Sequence, residues 1–414
     1  MPISDDYRSR LYPHLAAITE HFGTPFHIYD EAGIRQTVRD LFAAFGDFDF
    51  REYFAVKALP NPRILHILHE EGCGFDCSSI PELALARRVG AAGESIMFTS
   101  NNTTRGEFEA ALADGGCILN LDDIDLTDKA PQMPELVSFR LNPGSDAGNA
   151  IIGRPDESKF GVPRERIIEA YRRAQARGVK RFGLHMMIVS NERDATRHLA
   201  SIKGLCEVAL ELRDKLGISV EFINIGGGLG IPYRPEETPL DVRMLADGIG
   251  ELWDVTGLAG TKLFTEAGRY VTGPHGALVT RVINRKESYR RYIGVDACMS
   301  ALMRPGIYGA YHHIEVVGKT PGGGEPVVDV VGSLCENNDK FAVQRALPPA
   351  ADGDLLVIHD TGAHGHSMGF NYNGRLRPQE LLLRGDGAVE LIRRAETIDD
   401  YLATLTFDEK TLAL

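Results

Sequence analysis

Three short stretches carry residue types that could act together. Lys57 closes the apolar run Tyr53-Phe54-Ala55-Val56-Lys57-Ala58, Gly226 opens Gly226-Gly227-Gly228-Leu229-Gly230, and Glu266 opens Glu266-Ala267-Gly268-Arg269. Glycines let backbone amides approach phosphate oxygens, and a guanidinium adds charge-assisted hydrogen bonds, so Gly227, Gly228, Gly268 and Arg269 read as a phosphate cradle. It is not a dinucleotide fingerprint, because the last glycine position of G-x-G-x-x-G counted from Gly226 is Ile231, with Pro232 after it. A glycine-rich corner can also be purely structural, and a lysine after an apolar strand is commonly a surface residue. Opposite a phosphate cradle, a desolvated amine would form a Schiff base with a phosphate-bearing aldehyde. Pyridoxal 5'-phosphate is that cofactor, and Glu266 would hydrogen-bond its ring nitrogen and keep it protonated.

Elements that could position these residues alternate along the chain. Eight β-rich runs (53–57, 74–78, 96–100, 118–121, 137–141, 182–188, 222–226 and 263–266) are separated by helical stretches such as 81–89 and 164–177. The pattern predicts α/β architecture, a closed (β/α)8 TIM barrel over 31–276, with an open doubly wound sheet as the alternative. In such a barrel the glycine loop follows strand seven and Glu266 ends strand eight, where phosphate is commonly held. Beyond Arg269 come β-rich pieces at 277–283, 314–317, 326–331, 355–358 and 380–383, divided by Gly/Pro turns. They predict a C-terminal antiparallel β domain over 277–414, which the N-terminal segment 1–30 would join through the strand-like 25–29.

Composition narrows the partners. The 414 residues carry 45 basic and 58 acidic side chains, a net charge of −13, with no basic run able to track a phosphate backbone, so nucleic acid is not expected. MPISDDYRSR lacks a basic n-region and an apolar h-region, and no segment reaches the roughly 18 apolar residues of a membrane helix. A cytoplasmic protein with no membrane association is expected. Six cysteines without CxxC spacing read as reduced thiols.

Ten motifs, YFAVKA, GFDCSSIPEL, RLNPG, SKFG, GLH, GGGLGIPY, EAGR, VDACMSALMRPGIYGAYH, VGSLCENNDKF and FNYNGRLRP, occur in order from Pro25 to Leu402. The chain thereby resembles the fold-type III pyridoxal-phosphate decarboxylases of the alanine-racemase-like barrel group, and within them the diaminopimelate branch. The resemblance implies that Lys57 binds the cofactor covalently, that Glu266 contacts the pyridine nitrogen, and that Ser190, Gly227, Gly228, Gly268 and Arg269 surround the phosphate. Asp76 would lie near the Schiff base, or would simply cap a strand end. Arg304 and Tyr308 match substrate-carboxylate contacts. Cys335 and Glu336 match a pair that a second subunit inserts, the cysteine as proton donor to the substrate carbon and the glutamate at the distal amine, with Asp339 also facing substrate. A two-fold homodimer with shared active sites follows.

Three departures bear on specificity. The branch usually reads GLHxHIGSQ where this chain has Gly183-Leu184-His185-Met186-Met187-Ile188-Val189-Ser190-Asn191. The ring-stacking histidine is therefore Met187, and His185, two positions back on one strand face, would point inward and compensate, or be a satisfied core histidine. His364 stands where the family has a tyrosine beside the cofactor, and Asn337-Asn338 replaces Ser-Gly. His359, His364 and His366 lie close in sequence, but no accompanying ligand motif suggests a metal. The expected activity is amino-acid decarboxylation, with meso-diaminopimelate to L-lysine plus carbon dioxide as the best single assignment. A D- or L-basic amino acid such as ornithine or lysine, or a conjugated diamino acid, is the alternative. An amino-acid racemase and a non-catalytic regulator rank lower, the first because Cys335-Glu336 favours decarboxylation.

Overall fold

Short apolar strands can satisfy their backbone groups only by pairing. In this computed structural model, which describes residues 3–144 and 155–407, eight strands pair in parallel around a closed ring. They are Phe50–Ala55, Gly74–Cys77, Ile96–Phe98, Ile118–Leu121, Leu136–Asn142, Arg181–His185, Phe222–Asn224 and Lys262–Thr265, numbered one to eight below. Strand eight pairs with strand one (Leu263 opposite Phe50) and strand four with strand five (Leu119 opposite Val137), which closes the (β/α)8 barrel. The barrel belongs to a compact unit built on Glu31–His275. Among the described residues no helix is long and apolar enough to cross a membrane.

Side chains facing the barrel axis sort into layers. Tyr53, Met97, Ile118, Leu136, Phe222 and Phe264 form a buried apolar layer, in which the Phe222 and Phe264 rings stack 4.3 Å apart. Nearer the strands' C-terminal ends the buried side chains are polar: Asp76, Asn120, His185, Asn224 and Glu266. The surrounding helices start and stop at expected signals. Asp194 caps Ala195–Leu216 by accepting from Thr196 N, and Gly217 ends it at φ 67°. Asp241 and Gly257 do the same for Val242–Thr256.

Ile3–Asp30 and Gly276–Leu414 form a second compact unit. Its sheet is mixed, which corrects the antiparallel expectation. Phe26–Asp30 runs antiparallel to Gly276–Glu287 but parallel to Gln379–Leu383, and Arg291–Val295 runs parallel to Val327–Val331. Three strands, Arg291–Val295, Lys340–Ala346 and Val389–Arg393, were not anticipated by the hydrophobic pattern.

Six predicted barrel strands, 53–57, 74–78, 96–100, 182–188, 222–226 and 263–266, run past their observed C-terminal ends, and two of them lead into buried loops. Strand six ends at His185 and strand seven at Asn224, so Met186 to Ile188 and Ile225 to Gly226 belong to loops. The apolar run continues past the last ladder bond because these loops are themselves largely buried.

Gly183 packs flat against the Phe222 ring, and a Cβ there would lie well inside van der Waals contact with it. Gly183→Ala is expected to destabilise the protein by about 1–3 kcal/mol through overpacking. Urea denaturation should show a lower midpoint, with a smaller loss when Phe222→Leu is added.

Candidate active site

Lys57 follows strand one in a short 3-10 turn, Val56–Ala58, whose other two residues are buried. The lysine itself is exposed, which corrects the expectation of a desolvated amine. Its charge acts on three acids: Asp76 on strand two, Glu82 in the helix Ile80–Arg88, and Glu266 after strand eight.

A chain of hydrogen bonds crosses the barrel mouth. Thr99 Oγ1 donates to Asp76 Oδ1 at 2.8 Å, and Asn120 Nδ2 donates to Thr99 Oγ1 at 3.2 Å. The same Asn120 nitrogen lies 3.0 Å from His185 Nδ1. His185 Nε2 faces Glu266 Oε1 at 3.4 Å, and Asn224 Nδ2 donates to that oxygen at 2.8 Å. Burial works to raise the Glu266 carboxyl, but His185, Lys57 and Asn224 outweigh it and hold the group below the ordinary carboxylate range. Asp76 goes the other way, raised by burial and by the Glu266 charge against the opposing effects of Lys57 and Thr99.

The phosphate candidates converge as backbone. Gly226 and Gly228 have φ of 71° and 88°, left-handed values that suit glycine. A Cβ on Gly226 would lie 2.5 Å from Met186 O, and Cβ atoms on Gly227 and Gly228 would strike the carbonyls of Glu266 and Val189. Gly268 is closed in by Ala58, 2.7 Å from where its Cβ would be. Ser190 lies in the neighbouring loop, which is tied to the glycine loop by Glu192 N donating to Gly228 O and Ile231 N to Asn191 Oδ1, each 2.9 Å. Arg269 Nη1 donates to Tyr233 OH at 2.6 Å. Met187 turns its sulfur to Gly227 N at 3.2 Å, and His185 engages Asn120 and Glu266 instead.

In the second unit, buried Arg304 begins the short helix Arg304–Tyr308 and points Nη1 at His312 Nε2, 2.8 Å away, while Tyr308 is exposed. This helix rests on the loop carrying Cys335 and Glu336, since a Cβ on Gly306 would lie 2.5 Å from Asn338 O. Cys335 and Glu336 are both exposed. Asp339 is buried and accepts from Met299 N (2.6 Å) and Leu334 N (2.8 Å), so its carboxylate fastens the loop, and it also lines the cleft beside Glu336. His364 is half-buried at φ 56°. His359 contacts Tyr12 OH and Glu315, while His366 contacts Pro378 O. Among the described residues no three His, Cys, Asp or Glu side chains form a metal-binding group.

Residues 31–273 match the family described as pyridoxal-dependent decarboxylase, pyridoxal binding domain. The chain belongs to the pyridoxal-dependent decarboxylases. Protein TabA of Pseudomonas amygdali pv. tabaci is 50% identical over 405 residues, covering 97% of this chain and 96% of that protein. The diaminopimelate decarboxylase of Methanothermobacter thermautotrophicus is 38% identical over 397 residues, 93% of this chain and 92% of the relative. The crystal structure of Helicobacter pylori diaminopimelate decarboxylase complexed with L-lysine aligns with TM-score 0.87 at 30% identity, over 94% of this chain and 98% of that one. The protein is accordingly a pyridoxal-phosphate-dependent decarboxylase of the diaminopimelate decarboxylase family, acting on a small-molecule amino acid.

The barrel residues fit that cofactor. Gly226, Gly227 and Gly228 leave no room for side chains, Glu266 is a buried acceptor, and His185 Nε2 is a buried polar atom without a hydrogen bond. The decarboxylase barrel also uses residues that motif matching missed: Asn120, Asn224, Thr99 and Glu52. Their one sequence signal is a polar residue within or just after an apolar strand. Glu52 lies on strand one's outer face, where it accepts from Thr265 Oγ1 and, at 2.7 Å, from Ala267 N, so it fastens the turn that carries Glu266. Burial pushes the Glu52 carboxyl up to about 7 despite those donors.

Because the folded-state pKa lies above the unfolded one, Glu52's stabilising contribution is complete below about pH 4.5 and falls away as pH rises through about 7. Glu52→Gln is expected to remove that fall in stability, which totals on the order of 3 kcal/mol between the two pKa values. Denaturation midpoints of both proteins from pH 5 to 8 check this, and parallel curves would refute it.

Proposed function

We propose that the protein decarboxylates meso-diaminopimelate to L-lysine. The observation that carries this is the packing of the Arg304–Tyr308 helix on the Cys335–Glu336 loop, through the close approach of Gly306 to Asn338. The helix supplies a guanidinium and a phenol and the loop a thiol and a carboxylate, the loop's pair reaching the site of a second copy, groups suited to an amino acid with charges at both ends. Likeness to diaminopimelate decarboxylases at 38% and 34% identity supports the same substrate.

Pyridoxal phosphate, when bound, supplies an aldehyde that condenses with amines and a ring that accepts the electrons released on loss of carbon dioxide. In this proposal Lys57 would hold the cofactor covalently through its amine. Gly227, Gly228 and Gly268 would let the phosphate approach the backbone closely, and Arg269 and Ser190 would hold it. Glu266 keeps a proton at the ring nitrogen, and Asp76 steadies the lysine end. Arg304 and Tyr308 bind the substrate carboxylate, Glu336 binds the distal ammonium, and Cys335 delivers a proton from Sγ to the substrate carbon. Exposure of Cys335 and Glu336 suits their presentation to a second copy, so a two-fold homodimer with shared sites belongs to the proposal. His364 borders the cofactor in place of a tyrosine.

A conjugated diamino acid is the second substrate class. It is favoured by Asn337 and Asn338, both exposed beyond Glu336, and by a cleft of about 480 Å³ lined by Glu336, Asn337, Lys286 and Tyr292. Carbon dioxide release by the loaded protein should be tested on meso-diaminopimelate, both enantiomers of lysine and ornithine, and conjugated diamino acids. Release from meso-diaminopimelate is the expected outcome, and release from a conjugate alone would replace it. Lys57→Ala should lose covalent cofactor attachment, read by borohydride reduction and peptide mass, and label retained at full stoichiometry would remove the lysine from that role.

A further inference from the structure

Asn120 is buried in strand four, with Nδ2 between Thr99 Oγ1 (3.2 Å) and His185 Nδ1 (3.0 Å). The orientation of its amide follows from Thr99, whose single hydroxyl proton goes to Asp76 Oδ1 at 2.8 Å. With Asp76 Oδ1 as the acceptor of its proton, Thr99 Oγ1 accepts from Asn120, so the amide nitrogen faces it. Both hydrogens of that nitrogen are then committed, one to Thr99 and one to the imidazole. A ring nitrogen that accepts a hydrogen bond carries no proton.

We propose that Asn120 is a positioning residue for the decarboxylation, holding His185 neutral with its proton on Nε2, where it is aimed at Glu266. The other arrangements are disfavoured by contacts already described. An imidazolium would set an N–H against the Asn120 N–H. A neutral ring protonated on Nδ1 would do the same, and would also turn a lone pair of Nε2 toward the carboxylate 3.4 Å away. With the proton on Nε2, Glu266 Oε1 faces an N–H of His185 as well as the Asn224 amide, and the Lys57 charge also favours the ionised carboxylate. Strands two, three, four, six and eight are thus linked in one directional chain from Asp76 to Glu266. The assignment rests on the proposal that Glu266 serves the ring nitrogen, since that is what gives the direction of the chain a catalytic purpose.

The test is the tautomer itself. Full-length protein labelled with 15N-histidine, first without cofactor and then loaded with pyridoxal phosphate, is examined at pH 7 by long-range 1H–15N correlation, with the His185 signals identified by their loss in His185→Gln. A neutral ring protonated on Nε2 is expected in the wild type. In Asn120→Asp, which keeps the side-chain shape but offers only acceptors to Nδ1, a proton should appear on Nδ1. Thr99→Val, which removes the hydroxyl that orients the amide, should give both tautomers. A wild-type ring protonated on Nδ1, or on both nitrogens, overturns the assignment, as does a wild-type pattern retained in Asn120→Asp. Failure of the Glu266 role is separately visible: bound-cofactor absorbance unchanged in Glu266→Gln removes that role and leaves the tautomer result standing.

Discussion

A carboxylate taken out of water costs several kcal/mol unless donors surround it, and Glu266 is buried at the barrel mouth. Much of the local arrangement answers to that constraint. Asn224 donates to Glu266 Oε1 through Nδ2, while its own Oδ1 accepts from Gly226 N at 2.8 Å. The side chain that helps keep the acid ionised therefore also fixes the first residue of the glycine loop. On the outer face, Glu52 holds the amide of Ala267 and so sets the turn in which Glu266 sits. The two acids repel each other, and they respond differently because their donors differ. Glu52 has a hydroxyl and a backbone amide and is pushed up, whereas Glu266 has an amide side chain, an imidazole and the Lys57 charge and is held down.

The cradle obeys a second constraint, the space available to backbone. Loops after strands six, seven and eight meet so closely that Gly226, Gly227 and Gly228 each touch a carbonyl of a neighbouring loop. Glycine is required there by the convergence of three chains as well as by the left-handed φ of two of its members. A loop held on both sides needs little further ordering when an anion such as phosphate arrives, which favours its binding. The bond between Arg269 and Tyr233 OH has the same effect on the one flexible cation of the cradle, since a guanidinium already oriented loses less rotamer freedom when a ligand arrives.

The parts legible in sequence were those whose cause is local. Lys57, the glycine run and Glu266-Ala267-Gly268-Arg269 each lie at the end of an apolar strand, and eight such strands in alternation with helices were sufficient to predict the barrel. Asn120 and Asn224 were not legible, because a polar residue in a run such as Ile-Leu-Asn-Leu looks the same whether it meets solvent or a buried imidazole. His185 was placed facing inward, but its partner could not be named, since Asn120 is 65 positions away. The bonds of Asp339 were not legible either: its carboxylate closes its own loop through two backbone amides, one of them on Met299, 40 positions away. Among the strands, Val389–Arg393 escaped because none of its five residues is buried, so no alternation marked it.

Met187 shows why a local departure can leave the framework intact. Its thioether sits against the amide of Gly227, packing that any flexible side chain of similar length could provide. The exchange of a titratable ring for a sulfur at this point leaves the proton-bearing network to His185, whose contacts lie on the other side, toward Asn120 and Glu266. A histidine at both positions would set two imidazoles within one polar mouth, each sensitive to the other's charge. With sulfur at 187, His185 is the one imidazole among the hydrogen-bonded groups from Asp76 to Glu266, and its proton is governed by a single amide.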